Sequence, residues 1–375
     1  MILSVIIPAR NEFPNVVHTI HSILNSWEAS GFDRRDIEII LVDNCSDDDY
    51  FPQRGTKGTT SYLEGRGIYF SGVLRILRDP IAGNHSARNK GAEIAKGKYL
   101  FFSDAHMSYS PEFFKHILKA VDETHGIVHA PIAWMGGYPP QENGGAPHGL
   151  GFQYTIKLGE EIKGTWNPYV VSNEEAFYIP ALGHCSLAMD REQFLDFGGY
   201  PKIHRCYGGG EFYLNMKWWM FGSTVAVEPK AIGYHLASSR GYSYNHDDYL
   251  HNVINIGLAL GMDDWVERAY MNWLRKGRKE VLDGIIEEAI REVAEDKAFI
   301  ESRRTKTFNE VIVERPWDKL NDAKFGRHNS GLSIFHKTWL PLIKGTPAEK
   351  VYPGKYQEGL AKFIEENLKE FEYGR

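Results

Sequence analysis

Short apolar runs alternate with amphipathic stretches through the first hundred residues. Residues 4–8 and 37–42 are runs rich in β-branched side chains, which predict buried strands, and 13–27 between them has helical spacing. Further strands are predicted near 73–77 and at 99–102, with a helix between them. Strand, helix and strand joined by short connections indicate right-handed parallel crossovers. The pattern therefore predicts an α/β fold with a mostly parallel sheet.

Polar side chains stand where these predicted strands end. Arg10 and Glu12 follow the first strand, and Asp43 follows the second. Asp104 and His106 follow the strand at 99–102, and a carboxylate and an imidazole at this spacing can point the same way as a strand ends. Open α/β sheets bind ligands at this edge, so the pair is a candidate half of a divalent-cation site. An isolated D-x-H is more often a turn aspartate beside a surface histidine, but its position here favours the metal interpretation.

The second half of the chain carries two more candidate motifs. A glycine-rich turn at 207–210 leads into Glu211 and Phe212 and a helix that is predicted to end near residue 221. A strand follows, and then Gly233-Tyr234-His235. A glycine-rich turn is also an ordinary start for a helix, and a lone histidine is usually structural. Neither motif decides the function by itself.

The order and spacing of the motifs over residues 3–106 resemble the nucleotide-sugar half of GT-A glycosyltransferases, especially glycosyltransferase family 2. The resemblance rests on the runs SVIIPARNE, IILVDNCSD and ARNKGAEIAKGKYLFFSDAH. The D-x-H, G-G-E and G-x-H elements are similar to those of the polypeptide N-acetylgalactosaminyltransferases. The resemblance implies a GT-A fold: a Rossmann-like α/β domain with a mostly parallel central sheet. The hydrophobic pattern after this domain predicts a C-terminal, mainly helical extension.

The resemblance also implies roles for individual residues. In relatives, the aspartate matching Asp43 hydrogen-bonds the nucleobase, usually uracil, and the loop after the first strand lines the nucleotide. Arg88 matches an arginine near the diphosphate, and Glu211 matches a glutamate at the reaction centre, which makes it the predicted catalytic residue. The predicted donor-binding residues are Pro8, Ala9, Arg10, Asn11, Glu12, Asp43, Arg88, Ser103 and Asp104.

A metal site follows from the same resemblance. The histidine of the G-x-H element is the third metal ligand in the polypeptide transferases, so Asp104, His106 and His235 are the predicted ligands. Mixed nitrogen and oxygen donors suit Mn²⁺, whereas Mg²⁺ prefers nearly all-oxygen shells; another divalent cation would also be accepted. The predicted activity is transfer of a hexose or N-acetylhexosamine from a nucleotide-sugar donor, a UDP-sugar, to an acceptor hydroxyl.

Phe212 departs from the common pattern, because many inverting GT-A enzymes have an aspartate base at this position. Phenylalanine cannot remove a proton, and the polypeptide transferases also lack this aspartate and retain the anomeric configuration. The resemblance therefore favours retention through a short-lived ion pair. Glu211, Asp247 and Asp248 stay open as bases if the loops bring them near the acceptor.

The hydrophobic pattern changes after about residue 245. Residues 1–244 are predicted to form the catalytic domain, with a nucleotide-sugar half at 1–106 and an acceptor-side half at 107–244. Residues 245–375 are predicted to form the helical extension, including a long amphipathic helix near 280–303.

The stretch from residue 130 to 178 is rich in Gly, Pro, Trp and Tyr and lacks strong periodicity. A long irregular stretch in a compact domain is usually a lid or a binding loop. Trp134 and Trp166 within it are candidates to stack on a sugar face, and Gly209 and Gly210 are predicted on the same acceptor and sugar side.

Composition indicates in which cellular compartment the protein is expected and which classes of partner are disfavoured. The net charge of −6 gives no global electrostatic signal for nucleic acid. No apolar run approaches the roughly 20 residues that span a bilayer, and the chain starts directly with a core strand. Three scattered cysteines make no disulfide framework. These features favour a cytoplasmic protein without a membrane span.

Three functions stay open. The first is glycosyl transfer, with a glycan, a protein, a small molecule or a hydroxymethylated base of phage DNA as acceptor; the acidic charge disfavours DNA. The second is hydrolysis of nucleotide sugars at the same metal site. The third is a catalytically silent nucleotide-sugar-binding scaffold. The sequence does not indicate an oligomeric state.

Overall fold

A computed structural model of the chain describes residues 1–47, 59, 63–64, 70, 72–135, 152–157, 161–166, 171–236, 242–263, 265–267, 269–270 and 279–326. Of residues 134–135, 152–157, 161–166 and 279–280 it describes the backbone alone.

Strands and helices are mixed as far as residue 124. The described elements of residues 127–236 are mainly strands with two helices, and those after residue 245 are all helices. The strands are β1 (Leu3–Ala9), β2 (Ile37–Asn44), β3 (Leu74–Asp79), β4 (Tyr99–Ser103), β5 (Met107–Tyr109), β6 (Ile127–His129), β7 (Ile132–Met135), β8 (Phe152–Lys157), β9 (Glu161–Trp166), β10 (Phe177–Tyr178), β11 (Ser186–Asp190), β12 (Val225–Val227) and β13 (Gly233–Leu236). The helices are α1 (Asn15–Ala29), α2 (Asn84–Glu93), α3 (Phe113–Thr124), α4 (Arg191–Asp196), α5 (Gly210–Met220), α6 (His246–Ala259), α7 (Lys279–Arg303), α8 (Phe308–Glu314) and α9 (Pro316–Phe325). Among the helices that the structure describes, none is both long enough and apolar enough to cross a membrane.

The central sheet has the strand order β10-β12-β6-β11-β4-β1-β2-β3. β1 pairs in parallel with β2 and β4, and β2 pairs in parallel with β3. β11 is antiparallel to both β4 and β6, and β10 is antiparallel to β12. β13 lies in a separate small sheet between β5 and β7. The predicted mostly parallel central sheet is confirmed.

Burial on both faces of the sheet explains why its first strand is a continuous apolar run. Leu3, Val5 and Ile7 belong to a hydrophobic cluster that includes residues of α1 and α3. Ile6 belongs to a second cluster, which includes residues of α2. Strands that are covered on both faces lose the alternation of apolar and polar positions.

The register of the sheet brings the predicted donor-binding segments to one edge. Ala9, the last residue of β1, is the partner of Asp43 in β2. Ile6 is the partner of Phe102 in β4, so β4 ends beside β1 and Asp104 follows at the same edge.

The helices after residue 245 share a hydrophobic cluster with the sheet and helices before it. The ring centroid of Phe308 lies 6.3 Å from that of Phe212 in α5, and that of Trp317 lies 5.7 Å from Trp219 in the same helix. Helix α6 packs along α7, and buried residues of both belong to the cluster that contains α5. The domain boundary at residue 244 stays a prediction, and the described core is continuous across it.

The stretch from residue 130 to 178 contains more regular structure than its sequence predicts. β7 joins the small sheet, and β8 and β9 form an antiparallel hairpin. The many Gly, Trp and Tyr residues hide the alternation by which strands are identified in sequence. Trp134 lies in β7 and Trp166 lies in β9, but their side chains are outside the described residues.

Replacing Trp317 tests whether the extension and the part of the chain before residue 245 unfold as one unit. Because this indole is buried against Trp219 of α5, Trp317→Ala should lower the free energy of unfolding by about 3–5 kcal/mol. Urea unfolding followed by circular dichroism should show one transition, shifted as a whole. Lys319→Ala, at a side chain that is 67% exposed, is the control and should change stability little. Two transitions, with only one of them shifted, would contradict a shared core.

Candidate functional site

A cavity of about 570 Å³ opens at the carboxyl edge of β1, β2 and β4. Its size is in the range of pockets that bind small molecules. Nine predicted site residues line it: Pro8, Ala9, Arg10, Glu12, Arg88, Asp104, His106, Glu211 and His235.

The three predicted metal ligands come together in this cavity. The ligand atoms of Asp104, His106 and His235 all lie within 4.8 Å of one another. The rings of the two histidines are perpendicular, with centroids 4.7 Å apart. Pairing of β13 with β5 places His235 opposite Met107, and this long-range contact brings the G-x-H element beside the D-x-H element.

The charge of Asp104 is fixed by its surroundings. Its Oδ1 accepts a hydrogen bond from Arg88 Nη2 at 2.9 Å, and its Oδ2 lies 3.5 Å from His235 Nε2. Burial raises the pKa of this carboxyl, but the hydrogen bond from His235 and the charges of Arg88 and His106 outweigh burial and lower the pKa to about 2. The carboxylate is therefore ionised at neutral pH, as a metal ligand must be.

Glu12 contacts a metal-ligand candidate, a role that the sequence analysis did not assign to it. Its Oε2 lies 3.2 Å from His106 Nδ1. Because an ionised carboxylate can only accept, His106 donates from Nδ1, which would leave Nε2 as the ligand atom. Carboxylates that hold metal-binding histidines in this way fix both the ring orientation and the tautomer.

Glu211 lies in the first turn of α5, directly after the glycine-rich turn, and lines the cavity. The backbone at Gly210 lies against the ring of His85, where an added Cβ would be 2.2 Å from His85 Cδ2. Only glycine allows this approach. Gly209 is the N-cap of α5 and has a φ of 73°. The two glycines thus shape the turn that presents Glu211.

Neither the position at which inverting relatives have a base nor the other two candidate bases are part of the cavity lining. Phe212 is buried in the core against Phe308. Asp248 lies 3.8 Å from the guanidinium of Arg205, and neither Asp247 nor Asp248 is among the described residues that line the cavity.

Three predicted donor-binding residues are placed beside the cavity wall and do not line the cavity. Asn11 donates to Asp47 at 3.0 Å. Asp43 is buried and accepts from the backbone N–H of Ser46 at 3.1 Å. Ser103 is fully buried, with its hydroxyl 2.5 Å from that of Tyr109. These contacts order the loops around the cavity, and the donor-binding role of the three residues stays a prediction.

Other residues line the cavity without having been predicted: Asn44, Asn84, Cys206, Tyr207 and Tyr242. The guanidinium carbon of Arg10 lies over the ring of Tyr242, 5.2 Å from the ring centroid. Asn44 directly follows Asp43, and that adjacency is a signal that could have identified it. The other four lie in turns and at a helix start, where the local sequence gives no such signal.

A network of buried histidines lies behind the cavity. His184 contacts the hydroxyl of Tyr200 at 2.6 Å, and Asn215 joins His184 to His129 with contacts of 3.0 and 2.8 Å. Burial lowers the pKa of His129 from 6.5 to about 4, although its hydrogen bonds act in the opposite direction. Burial likewise lowers the pKa of His204 to about 4. These rings are neutral at pH 7.

Comparison with known proteins agrees with this geometry. Residues 4–141 match the model of the glycosyl transferase family 2. The chain is 26% identical over 309 residues to polypeptide N-acetylgalactosaminyltransferase 3 of Drosophila melanogaster, covering 79% of this chain and 44% of the relative. It is 23% identical over 339 residues to human polypeptide N-acetylgalactosaminyltransferase 10, covering 84% of this chain and 49% of the relative. The chain thus spans about half the length of these curated relatives.

A solved structure shows the same fold. The crystal structure of GalNAc-T7 with UDP, GalNAc and Mn²⁺ superposes with a TM-score of 0.63 at 19% identity, covering 87% of this chain and 58% of that chain. The GT-A fold and the resemblance to polypeptide N-acetylgalactosaminyltransferases that the sequence analysis predicted are confirmed.

The buried histidines predict how stability depends on pH. His129 is neutral in both states well above pH 6.5, but at lower pH the unfolded state binds protons first, because the folded pKa of His129 is about 4. Stability should therefore fall between pH 6.5 and 4. Urea midpoints measured across this range should fall less steeply for His129→Gln than for the wild type. His246→Gln, at an exposed site, should keep the wild-type slope. Equal slopes for all three proteins would show that His129 is not buried neutral.

Proposed function

We propose that this chain, whose residues 4–141 are a glycosyltransferase family 2 domain, is a metal-dependent glycosyltransferase that transfers a sugar to an acceptor hydroxyl. One observation carries the proposal: the ligand atoms of Asp104, His106 and His235 lie within 4.8 Å, and Arg88 contacts the same Asp104. A divalent cation beside a guanidinium is the combination that binds a diphosphate, the leaving group of a nucleotide sugar.

The proposed donor is a UDP-sugar that carries a hexose or an N-acetylhexosamine. The matched GalNAc-T7 structure holds UDP and GalNAc, and the two relatives described above are N-acetylgalactosaminyltransferases by name. Asp43, at the end of β2, would accept a hydrogen bond from the imide N–H of uracil. Asp43 lies beside the cavity wall, and Arg10 and Tyr242, which line the cavity, would enclose the nucleotide.

Mn²⁺ is the proposed cation because the donor set fits it. Two imidazoles and an ionised carboxylate offer mixed nitrogen and oxygen ligands, which Mn²⁺ accepts more readily than Mg²⁺ does. When bound, the cation would neutralise charge on the departing nucleoside diphosphate. Glu12 would hold the ring of His106 for this task, and the guanidinium of Arg88 would hold Asp104.

Glu211 is the proposed reaction-centre carboxylate. Glu211 lines the same cavity as the proposed metal ligands Asp104, His106 and His235. Phe212 packs in the core where inverting relatives have a base, which supports retention of the anomeric configuration. The acceptor is proposed only as a hydroxyl compound.

Loss of a metal ligand should abolish binding that depends on Mn²⁺. Differential scanning fluorimetry with UDP at a hundredfold excess over its dissociation constant should show about 2.7 kcal/mol of stabilisation in the wild type when Mn²⁺ is present. Asp104→Ala and His235→Ala should lose the part that depends on Mn²⁺. Asp122→Ala, at a carboxylate 58% exposed on α3, is the control and should keep it. A full shift in either ligand variant would remove the ligand assignment.

Replacing Glu211 separates donor binding from transfer. Glu211→Gln should bind UDP and Mn²⁺ like the wild type but consume UDP-N-acetylgalactosamine or UDP-N-acetylglucosamine at least about a hundredfold more slowly, because the carboxylate is lost from the reaction centre. Glu192→Gln, at a side chain 76% exposed, is the matched control. Weakened UDP binding would make Glu211 a donor-binding residue.

The products of wild-type turnover distinguish the alternatives. Product NMR with a panel of peptides, glycans and hydroxymethylated DNA should show an α-linked sugar, the configuration of these donors. Release of free sugar alone would favour the hydrolase, and donor binding without turnover would favour the scaffold.

A further inference from the structure

One side chain of the helical extension is hydrogen-bonded to the turn that presents Glu211. Asn252 lies in α6 and is 1% exposed. Its Oδ1 accepts from the backbone N–H of Arg205 at 2.9 Å, and its Nδ2 donates to the carbonyls of Arg205 at 2.6 Å and Tyr207 at 3.0 Å. A segment without regular structure cannot pair its buried backbone groups within a helix or a sheet. Here a single buried amide satisfies three backbone groups of residues 205–207.

The conformation of the turn around Gly208 depends on contacts with neighbouring residues. Gly208 has a φ of 124°, in a region that residues with side chains rarely adopt. Helix α6 covers it closely, since a Cβ on Gly208 would lie 2.5 Å from Tyr249 Cδ2. On the inner side, His204 Nε2 donates to the carbonyl of Gly208. The turn is therefore held by residues on either side of it.

The position of the turn determines two walls of the cavity. Cys206 and Tyr207 line the cavity from the turn itself, and α5 begins at Gly210, so Glu211 follows directly. The carbonyl of Cys206 also accepts from the backbone N–H of Asn84, at the start of α2. A shift of the turn would move Tyr207 and Glu211 together relative to the cation site.

Ion pairs join the same turn to the extension but contribute less to its position. Arg205 Nη2 lies 2.9 Å from Glu288 and 3.3 Å from Glu292, both in α7. These side chains are 29–45% exposed, and exposed ion pairs are typically worth only about 0–1 kcal/mol. The hydrogen bonds of Asn252 are shielded from water, and losing them would leave buried backbone groups without partners.

We propose that Asn252 is a positioning residue of the active site: it fixes the turn at 205–209 and thereby the place of Glu211 relative to the cation and the donor. Its catalytic consequence rests on the function proposed above, whereas its effect on the turn does not. Misplacement of a reacting group by about 1 Å can lower a rate a hundredfold, so the effect should fall on kcat.

Hydrogen exchange of the full-length protein tests the structural half directly. In Asn252→Ala, amides of residues 205–211 should exchange about tenfold faster than in the wild type, because the hydrogen bonds to the turn are lost. Asn255→Ala is the matched control. Asn255 lies one turn further along α6 and is also buried, and its Nδ2 has no hydrogen-bond partner among the residues that the structure describes. It should leave the exchange of this segment unchanged.

Kinetics with Mn²⁺ and UDP-N-acetylgalactosamine test the catalytic half. Asn252→Ala should lower kcat at least tenfold while UDP binding stays within twofold, and Asn255→Ala should match the wild type. If Asn252→Ala does not fold, Asn252→Asp replaces it, since the isosteric carboxylate can still accept from Arg205 but cannot donate to the two carbonyls. It should likewise speed exchange at 205–211 and lower kcat.

The outcomes separate this inference from the proposed function. Unchanged exchange at 205–211 in the Asn252 variants overturns the positioning role, as does a loss of kcat no larger than in Asn255→Ala. A wild type that neither binds UDP nor consumes either donor overturns the proposed function, whereas faster exchange in Asn252→Ala would still establish that this residue holds the turn.

Discussion

The ion pair between Arg88 and Asp104 is the interaction on which the site depends. The guanidinium is 2% exposed and donates to Asp104 at 2.9 Å and to the carbonyl of His184 at 3.1 Å. It thus joins α2 to the end of β4 and to the loop before β11. A guanidinium keeps its charge when buried and therefore needs such acceptors. Burial opposes that charge, but Tyr200, Asp104 and Glu211 hold the pKa of Arg88 above its usual value.

The histidines around the buried guanidinium are neutral mainly because they are buried themselves. Burial, together with the positive charge of Arg88, lowers the pKa of His85 and His184 well below the usual value. A second cation beside the guanidinium would be repelled, whereas the carboxylate of Asp104 contacts it at 2.9 Å. His184 therefore contacts a phenol and an amide, whereas His106 and His235 lie nearer the carboxylates, where a divalent cation can be held.

Local sequence predicts the cavity residues that follow β1 and β4 well. It predicts the residues that come from later in the chain incompletely. The apolar runs of β1, β2 and β4 place Asp104 and His106 at the correct edge without any tertiary information. Ser103 was predicted to bind the donor from its place at the end of β4, but its hydroxyl is buried against Tyr109, a contact that the local sequence does not show. The pairing of His235 with Met107 depends on elements far apart in the chain, so periodicity cannot show it. Only the family resemblance gave this ligand.

Different contacts hold the two sides of the cavity in place. Asp104, His106 and Arg88 all lie within the segment that matches the family model: Asp104 and His106 follow β4, and Arg88 lies in α2. Glu211 and Tyr207 lie beyond it, on a turn fixed by contacts with α6. Packing changes in α6 would therefore act first on the turn and on Glu211. They would reach Arg88 through His85, whose ring lies against Gly210 and whose Nδ1 is 3.4 Å from the guanidinium. The extension thus helps to fix the cavity wall that Glu211 and Tyr207 form.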